Sequence, residues 1–101
     1  MKILVVLCHP RSDSLTGKVA EAFSNGAKSN GHTVEFVDLY KEEFNPVLES
    51  KDEPNNGELI NYSKEVQIEF NRLNSNDAVV MIFPLWWWAM PAMLKGWIDR
   101  V

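Results

Sequence analysis

The sequence predicts an α/β fold, a doubly wound parallel sheet with helices on both of its faces. Apolar runs typical of strands alternate with segments of helical periodicity, in the order strand–helix–strand–helix–strand–helix. The first run, Lys2 to Leu7, is continuously apolar after its lysine, as expected for a strand covered on both faces. Right-handed crossovers between parallel strands then place helices on both sides of the sheet. With 101 residues, the chain is expected to form one domain, residues 1–101.

A helix and a second strand follow the first strand. Several potential helix caps precede Leu15, and apolar residues then recur at helical spacing, a stripe of the kind that faces a core: Leu15, Val19, Phe23 and Ala27. Asn30-Gly31 predicts the end of this helix, with Gly31 in the left-handed conformation. The second strand is predicted over Thr33 to Leu39.

The remaining elements follow an irregular stretch over residues 40–57. A helix is predicted over about Asn61 to Asn74, and the third strand over Ala78 to Phe83. Pro91 suits the first turn of a last helix. Its buried face is expected to carry Leu94, Trp97, Ile98 and Val101. Close approach of this helix to the sheet would explain Gly96.

Composition excludes several classes of function. The net charge of −4 and the scattered basic residues argue against a partner that is nucleic acid or an anionic membrane. The uncharged segment Ala78 to Leu94 is interrupted by Pro84 and Pro91, so no membrane span is predicted. A single cysteine, Cys8, fits a cytoplasmic, reducing location. No metal site has the required spacing, and the sequence identifies no catalytic acid–base pair.

The two most unusual stretches follow the first and third strands. In open parallel sheets, ligands bind beyond the carboxyl ends of the strands, where the strand order reverses. In the strand order 2-1-3-4-5 this point lies between strands 1 and 3. If the chain has this order, the loops His9–Thr16 and Pro84–Pro91 flank one ligand site.

The first loop, HPRSDSLT, has features of a phosphate site. It leads into a helix amino terminus, where free N–H groups and the helix dipole attract anions. Ser14 and Thr16 add hydroxyl groups, while His9 and Arg11 can add positive charge. The alternative is a well-capped helix, for which Ser14 alone would suffice. The loop lacks the glycines of a dinucleotide fingerprint or a P-loop, so neither is predicted.

The second loop contains three consecutive tryptophans, Trp86, Trp87 and Trp88, between two prolines. No regular strand or helix can direct three neighbours into one core. A turn of this kind can supply an apolar wall, stacking surfaces and free backbone N–H groups to a flat aromatic ligand such as an isoalloxazine ring. For any single tryptophan, packing in the core or at a subunit contact is the better interpretation, but for all three together it is not.

Three stretches resemble the flavodoxin-like NAD(P)H dehydrogenase (quinone) family, the relatives of DT-diaphorase: KILVVLCHPRSDSLT, VDLYKEEFNPVL and FPLWWWAMPAMLKGWIDRV. The resemblance implies a flavin, usually FAD, that takes hydride from NAD(P)H and passes it to a quinone or similar acceptor. By position, His9, Leu15 and Thr16 would lie along the FAD phosphates and adjoining groups. The residues expected to line the isoalloxazine are Pro84, Leu85, Trp86, Trp87 and Trp88.

The chain also departs from the family pattern, because family members are about twice as long. The sequence ends within the helix after strand 3, so only strands 2-1-3 are expected, and the domain looks truncated at its carboxyl-terminal side. Family members are generally dimers, which implies a homodimer. FAD and FMN both remain compatible with the residues present. A non-catalytic electron carrier and an interaction module remain alternatives to a reductase.

Overall fold

The structure of the protein is a computed structural model that describes residues 1–54 and 57–101. Its six main elements are β1 (Lys2–Leu7), α1 (Leu15–Ser29), β2 (Thr33–Asp38), α2 (Lys64–Asn74), β3 (Ala78–Ile82) and α3 (Ala92–Arg100). The predicted order of strands and helices is therefore confirmed. The helix predicted from about Asn61 begins at Lys64, because Ser63 caps α2 and Leu59–Asn61 forms a separate 3-10 turn.

The sheet has three parallel strands in the order β2-β1-β3. Ile3 of β1 is paired with Val34 on one side and Ala78 on the other. All of β1 after Lys2 is buried, which confirms the prediction of a strand covered on both faces. The sheet is therefore the predicted doubly wound parallel sheet in the order 2-1-3.

Side chains of β1 alternate between two apolar clusters, as the strand pleat requires. On the face that carries α3, the buried cluster comprises Leu4, Val6, Cys8, Val37, Leu39, Phe44, Leu94 and Trp97. On the α1 face it comprises Ile3, Val5, Leu7 and Ala20. The face with α3 therefore holds the larger core.

Helix α1 does not bury the apolar stripe that predicted it. Leu15 is 78% exposed, and Val19 and Phe23 are also exposed. The buried positions of α1 are instead small residues: Gly17, Ala20 and Ser24. Small side chains let a helix approach a sheet closely, so the sequence periodicity identified the helix but not its buried face. Its end at Asn30, followed by Gly31 with φ of 85°, is as predicted.

Helix α3 packs against the loop that follows β2. A Cβ atom at Gly96 would lie 2.3 Å from the carbonyl oxygen of Pro46, so this position has no room for a side chain. The expectation that Gly96 approaches the sheet is wrong, because its close neighbour is this loop. Leu94 and Trp97 are buried as predicted, whereas Ile98 is exposed.

The far end of α3 is fixed by an ionic network around the buried Arg100 and Asp52, which we call the Arg100 clamp: Arg100, Asp52, Ser63 and Glu65. The Arg100 guanidinium lies 2.8 Å from Asp52 Oδ2 and 2.6 Å from Glu65 Oε1. The Ser63 N–H and hydroxyl both donate to the Asp52 carboxylate. Burial alone would raise the pKa of Asp52, but these donors and Arg100 hold it below its usual value.

In the part of the chain that the structure describes, no helix has the length and apolar character needed to cross a membrane. Within the same residues, no group of three or more histidine, cysteine or carboxylate side chains could hold a metal ion.

Candidate functional site

The loops after β1 and β3 begin side by side at the carboxyl edge of the sheet. The Cys8 N–H donates to the Ile82 carbonyl at 3.0 Å, which extends the strand pairing to the point where both loops start. Beyond it, the His9 and Trp86 rings lie with their centroids 6.0 Å apart and their planes tilted by 58°. The structure thus brings together the two loops that the sequence singled out.

The β1–α1 loop, residues 9–14, presents free backbone donors. The Arg11 N–H donates to His9 Nδ1 at 2.9 Å, and the Ser14 N–H donates to the Arg11 carbonyl at 3.3 Å. The N–H groups that have no acceptor among the described residues are those of Ser12, Asp13, Leu15 and Thr16. Donors gathered at a helix amino terminus form a favourable environment for an anion.

Gly17 sets the shape of this loop. A Cβ atom there would lie 2.1 Å from the Ser12 carbonyl oxygen, so the loop can fold back onto α1 only because position 17 is a glycine. Neither the motifs nor the periodicity of the sequence singled out Gly17. The sequence did contain an indication of it, because Gly17 lies in the first turn of a predicted helix. A glycine lowers helix stability, so its presence there points to a steric requirement.

The predicted phosphate ligands differ in their environments. The Ser14 side chain is buried and accepts from the Gly17 N–H at 3.1 Å, so it caps α1, as the alternative interpretation held. Arg11 and Leu15 are exposed, whereas His9 and Thr16 are partly buried. Because His9 Nδ1 accepts a hydrogen bond from the Arg11 N–H, Nε2 is the ring nitrogen that is left to donate to a ligand.

The segment after β3 forms a tight turn, which we call the tryptophan turn, residues 86–89. Trp86 and Ala89 exchange two backbone hydrogen bonds of 3.0 Å. Between them, Trp87 has a φ of 52° and Trp88 a φ of 66°. Two consecutive positive φ angles define a type I′ turn, which strongly favours Asn-Gly. Bulky residues in this conformation are strained, and such strain is concentrated at functional sites.

The side chains of this turn face solvent. Trp87 is 94% exposed and Trp88 is 91% exposed, whereas Trp86, beside His9, is 39% exposed. Leu85 is also exposed, and Pro84 is partly buried. The N–H groups of Trp87 and Trp88 have no acceptor among the described residues. The turn therefore offers a wide apolar surface next to backbone donors, a combination that suits a flat aromatic ring with polar edges.

Cys8 follows β1 directly and lies in the core at the point where the first loop begins. Its side chain is fully buried, and burial raises the pKa of the thiol to about 11. At neutral pH the group is therefore a protonated thiol that packs in the core.

Two cavities lined by described residues lie away from the tryptophan turn. A groove of about 500 Å³ between α1 and β2 includes Ser12 and Gly17 of the first loop region, but none of the tryptophans. A cavity of about 350 Å³ lies beside the Arg100 clamp. The candidate site is accordingly an open edge, defined by loop geometry and exposed tryptophans.

The comparisons with known proteins place the chain in a family. All 101 residues match the family model Flavodoxin_2, described as having a flavodoxin-like fold. The chain is 45% identical over 101 residues to the uncharacterized NAD(P)H oxidoreductase YcaK of Escherichia coli K12, covering 99% of this chain and 52% of that protein. It is 33% identical over 116 residues to rat NAD(P)H dehydrogenase [quinone] 1, covering 99% of this chain and 42% of the relative.

A solved structure gives the same result. The NAD(P)H:quinone oxidoreductase from Methanothermobacter marburgensis superimposes with a TM-score of 0.87 at 35% identity, covering 99% of this chain and 52% of that one. The chain thus spans about half the length of the relatives it matches. On the evidence of its sequence, strand order and fold, the chain belongs to the flavodoxin-like NAD(P)H dehydrogenase (quinone) family.

Proposed function

We propose that the chain belongs to a flavin-dependent NAD(P)H:quinone oxidoreductase, in which hydride passes from NAD(P)H to bound flavin and then to a quinone or similar acceptor. The observation that carries the proposal is the meeting of a donor-rich helix start and a strained, exposed tryptophan turn at one edge of the sheet. The names of the relatives and the family model support the same chemistry.

The β1–α1 loop would hold the phosphates of the flavin nucleotide, which we propose to be FAD, with FMN as the alternative. The free N–H groups of Leu15 and Thr16 and the Nε2–H of His9 are suited to donate to phosphate oxygens. Arg11 is exposed and adds a mobile positive charge. The buried Ser14 hydroxyl would act indirectly, by capping α1 and holding the loop in shape.

The tryptophan turn and the residues before it would hold the isoalloxazine ring. Trp87 and Trp88 provide apolar surface, their N–H groups can donate to the polar edge of the ring, and Pro84 and Leu85 extend the wall. When bound, a flavin supplies the hydride chemistry, while the protein orients it and excludes water. We assign no catalytic acid or base to these residues. We also propose that the protein acts as a homodimer in the cytosol.

An interaction module is the second candidate function, because two indoles that are more than nine-tenths exposed are also typical of a partner contact. An absorption spectrum of the purified protein separates the two. Flavin bands in near-stoichiometric amount, bleached by NADH under anaerobic conditions, are expected for the reductase. Bands that NADH leaves unchanged would indicate an electron carrier, and protein that neither carries nor binds flavin would contradict the proposal.

The phosphate assignment has its own test. Substituting His9 and Arg11 by alanine should weaken binding of FAD by about tenfold or more, and binding of riboflavin, which has no phosphate, much less. Lys28→Ala is the matched control, because Lys28 is an exposed cation at the opposite end of α1. Equal losses for FAD and riboflavin would show that the loop does not bind phosphate.

A further inference from the structure

We infer that the contact between His9 and Trp86 couples the two loops of the candidate site, and that Trp86 acts as a positioning residue for the tryptophan turn. Where the inference concerns flavin it rests on the proposed function, but the coupling itself is a property of the free protein. Its basis is the ring contact of 6.0 Å, which joins residues from opposite ends of the sequence.

The His9 ring is oriented by the first loop. Its Nδ1 accepts the Arg11 N–H at 2.9 Å, so the ring plane follows the backbone of residues 9–11. An anion bound to the free N–H groups of this loop would lie beside Nε2, whose proton can donate to it. The position of the His9 ring would therefore report whether the loop is occupied.

Within the turn, Trp86 is the side chain that contacts His9, so a change in the position of the His9 ring would act on the turn through Trp86. Its N–H and carbonyl are both bonded to Ala89, so its backbone is part of the turn itself. The next two side chains, Trp87 and Trp88, are almost fully exposed, so packing of their indoles contributes little to hold the strained backbone. The turn depends on its two backbone hydrogen bonds and on the side chain of Trp86 against His9.

An anion would bind at the first loop and an aromatic ring at the tryptophan turn, and binding of either ligand requires the His9–Trp86 pair to become ordered. An anion that fixes the His9 ring would also fix Trp86, and the turn would then bind an aromatic ring with less ordering. A tilted aromatic pair at this distance has an energy that corresponds to a change of about two- to tenfold in an equilibrium constant. Phosphate bound at the first loop should accordingly increase the affinity of the turn for a flavin ring by about two- to tenfold, and the bound ring should increase the affinity for phosphate by the same factor.

The first test uses the free protein. The Ala89 N–H donates to the Trp86 carbonyl, so its amide exchange reports opening of the turn. We expect His9→Leu and Trp86→Leu each to speed this exchange about two- to tenfold, and the double variant to be no faster than either one. Trp86→Phe should restore slow exchange. Trp88→Leu removes an indole that makes no such contact and is the matched control. Unchanged exchange in His9→Leu, or multiplicative effects in the double variant, would overturn the coupling.

The second test measures riboflavin affinity with and without inorganic phosphate, at ionic strength matched with chloride. Phosphate should lower the riboflavin Kd about two- to tenfold in the wild type and in Trp86→Phe, but not in Trp86→Leu. The same phosphate effect in Trp86→Leu would overturn the inference and leave the proposed function intact. Absence of any riboflavin binding would contradict the proposed function, and the exchange measurement would still decide the coupling.

Discussion

The Arg100 clamp buries charged groups, whereas the tryptophan turn exposes large apolar ones. In the clamp, Arg100 and Asp52 are almost completely buried, and hydrogen bonds from Ser63 support the ion pair. In the turn, Trp87 and Trp88 face solvent on a strained backbone. The polarity of the side chains alone therefore predicts neither the burial of the clamp nor the exposure of the turn. Most polar groups of the clamp have partners that compensate for its burial. Nothing in the described fold requires the turn to expose its indoles, which is why we propose a functional role for the turn.

The largest effect is expected when the clamp loses one charge. Asp52→Ala leaves Arg100 buried without its main partner, which should lower the free energy of unfolding by about 3–5 kcal/mol. Asp99→Ala is the matched control, because the Lys95–Asp99 pair is exposed, and it should cost less than about 0.5 kcal/mol. Urea unfolding followed by circular dichroism measures both. Similar losses in the two variants would mean that burial does not distinguish the pairs.

The clamp also predicts how stability depends on pH. The pKa of Asp52 is lowered in the folded state, so the unfolded chain binds a proton more readily. The contribution of Asp52 is therefore present above the ordinary carboxyl pKa of about 4 and is lost as the pH falls through the folded value. The free energy of unfolding can be measured between about pH 3 and pH 6, on both sides of that value. It should fall more steeply with decreasing pH in the wild type than in Asp52→Asn. The same pH dependence in both proteins would show that protonation of Asp52 does not contribute to the loss of stability in acid.

An intermediate effect of opposite sign is expected in the turn. Replacing Trp87-Trp88 by Asn-Gly, the pair that a type I′ turn favours, should stabilise the flavin-free protein by about 1–3 kcal/mol and greatly weaken flavin binding. Glu43→Asn is the matched control, because Glu43 is another non-glycine residue with positive φ, at 55°. It should stabilise slightly without changing flavin affinity. A destabilised Asn-Gly variant would show that the tryptophans stabilise the fold.

The smallest effect concerns Cys8, which follows β1 directly and lies in the core. With a thiol pKa of about 11, only about one molecule in a thousand carries the thiolate at pH 8, and the side chain is fully buried. Iodoacetamide should therefore label the native protein far more slowly than the urea-unfolded chain. Rapid labelling of native protein would indicate frequent opening at the carboxyl edge of the sheet.

The sequence predicted what depends on local pattern and topology. Strand β1 and the positive φ of Gly31 follow from an apolar run and a turn residue. The order β2-β1-β3, and with it the meeting of the two loops, was expected from the resemblance to a flavodoxin-like family. The buried face of α1 did not follow, because two stripes of that helix are compatible with one periodicity and close packing selected the small residues.

The clamp and the first-loop geometry could not be predicted, for a different reason. Asp52 and Arg100 are 48 residues apart, and nothing in either local pattern marks them as partners. A buried charge is recognised only when its partner is known. For the first loop, the sequence indicated which residues form it and offered Ser14 as the cap of α1, but it did not indicate that Gly17 would lie against the Ser12 backbone.

The central position of β1 has a consequence for the order of folding. Its pairing with β2 can form after a closure of moderate length that includes α1, because Met1 and His32, the residues just before these strands, are 31 residues apart. Pairing with β3 must wait for a much longer closure, since Lys2 and Asp77 are separated by 75 residues. Closure entropy and long-range contacts make such late parallel pairing slow. The β1–α1 loop should therefore form on an early β1–α1–β2 unit, and the tryptophan turn should join it only in the final step.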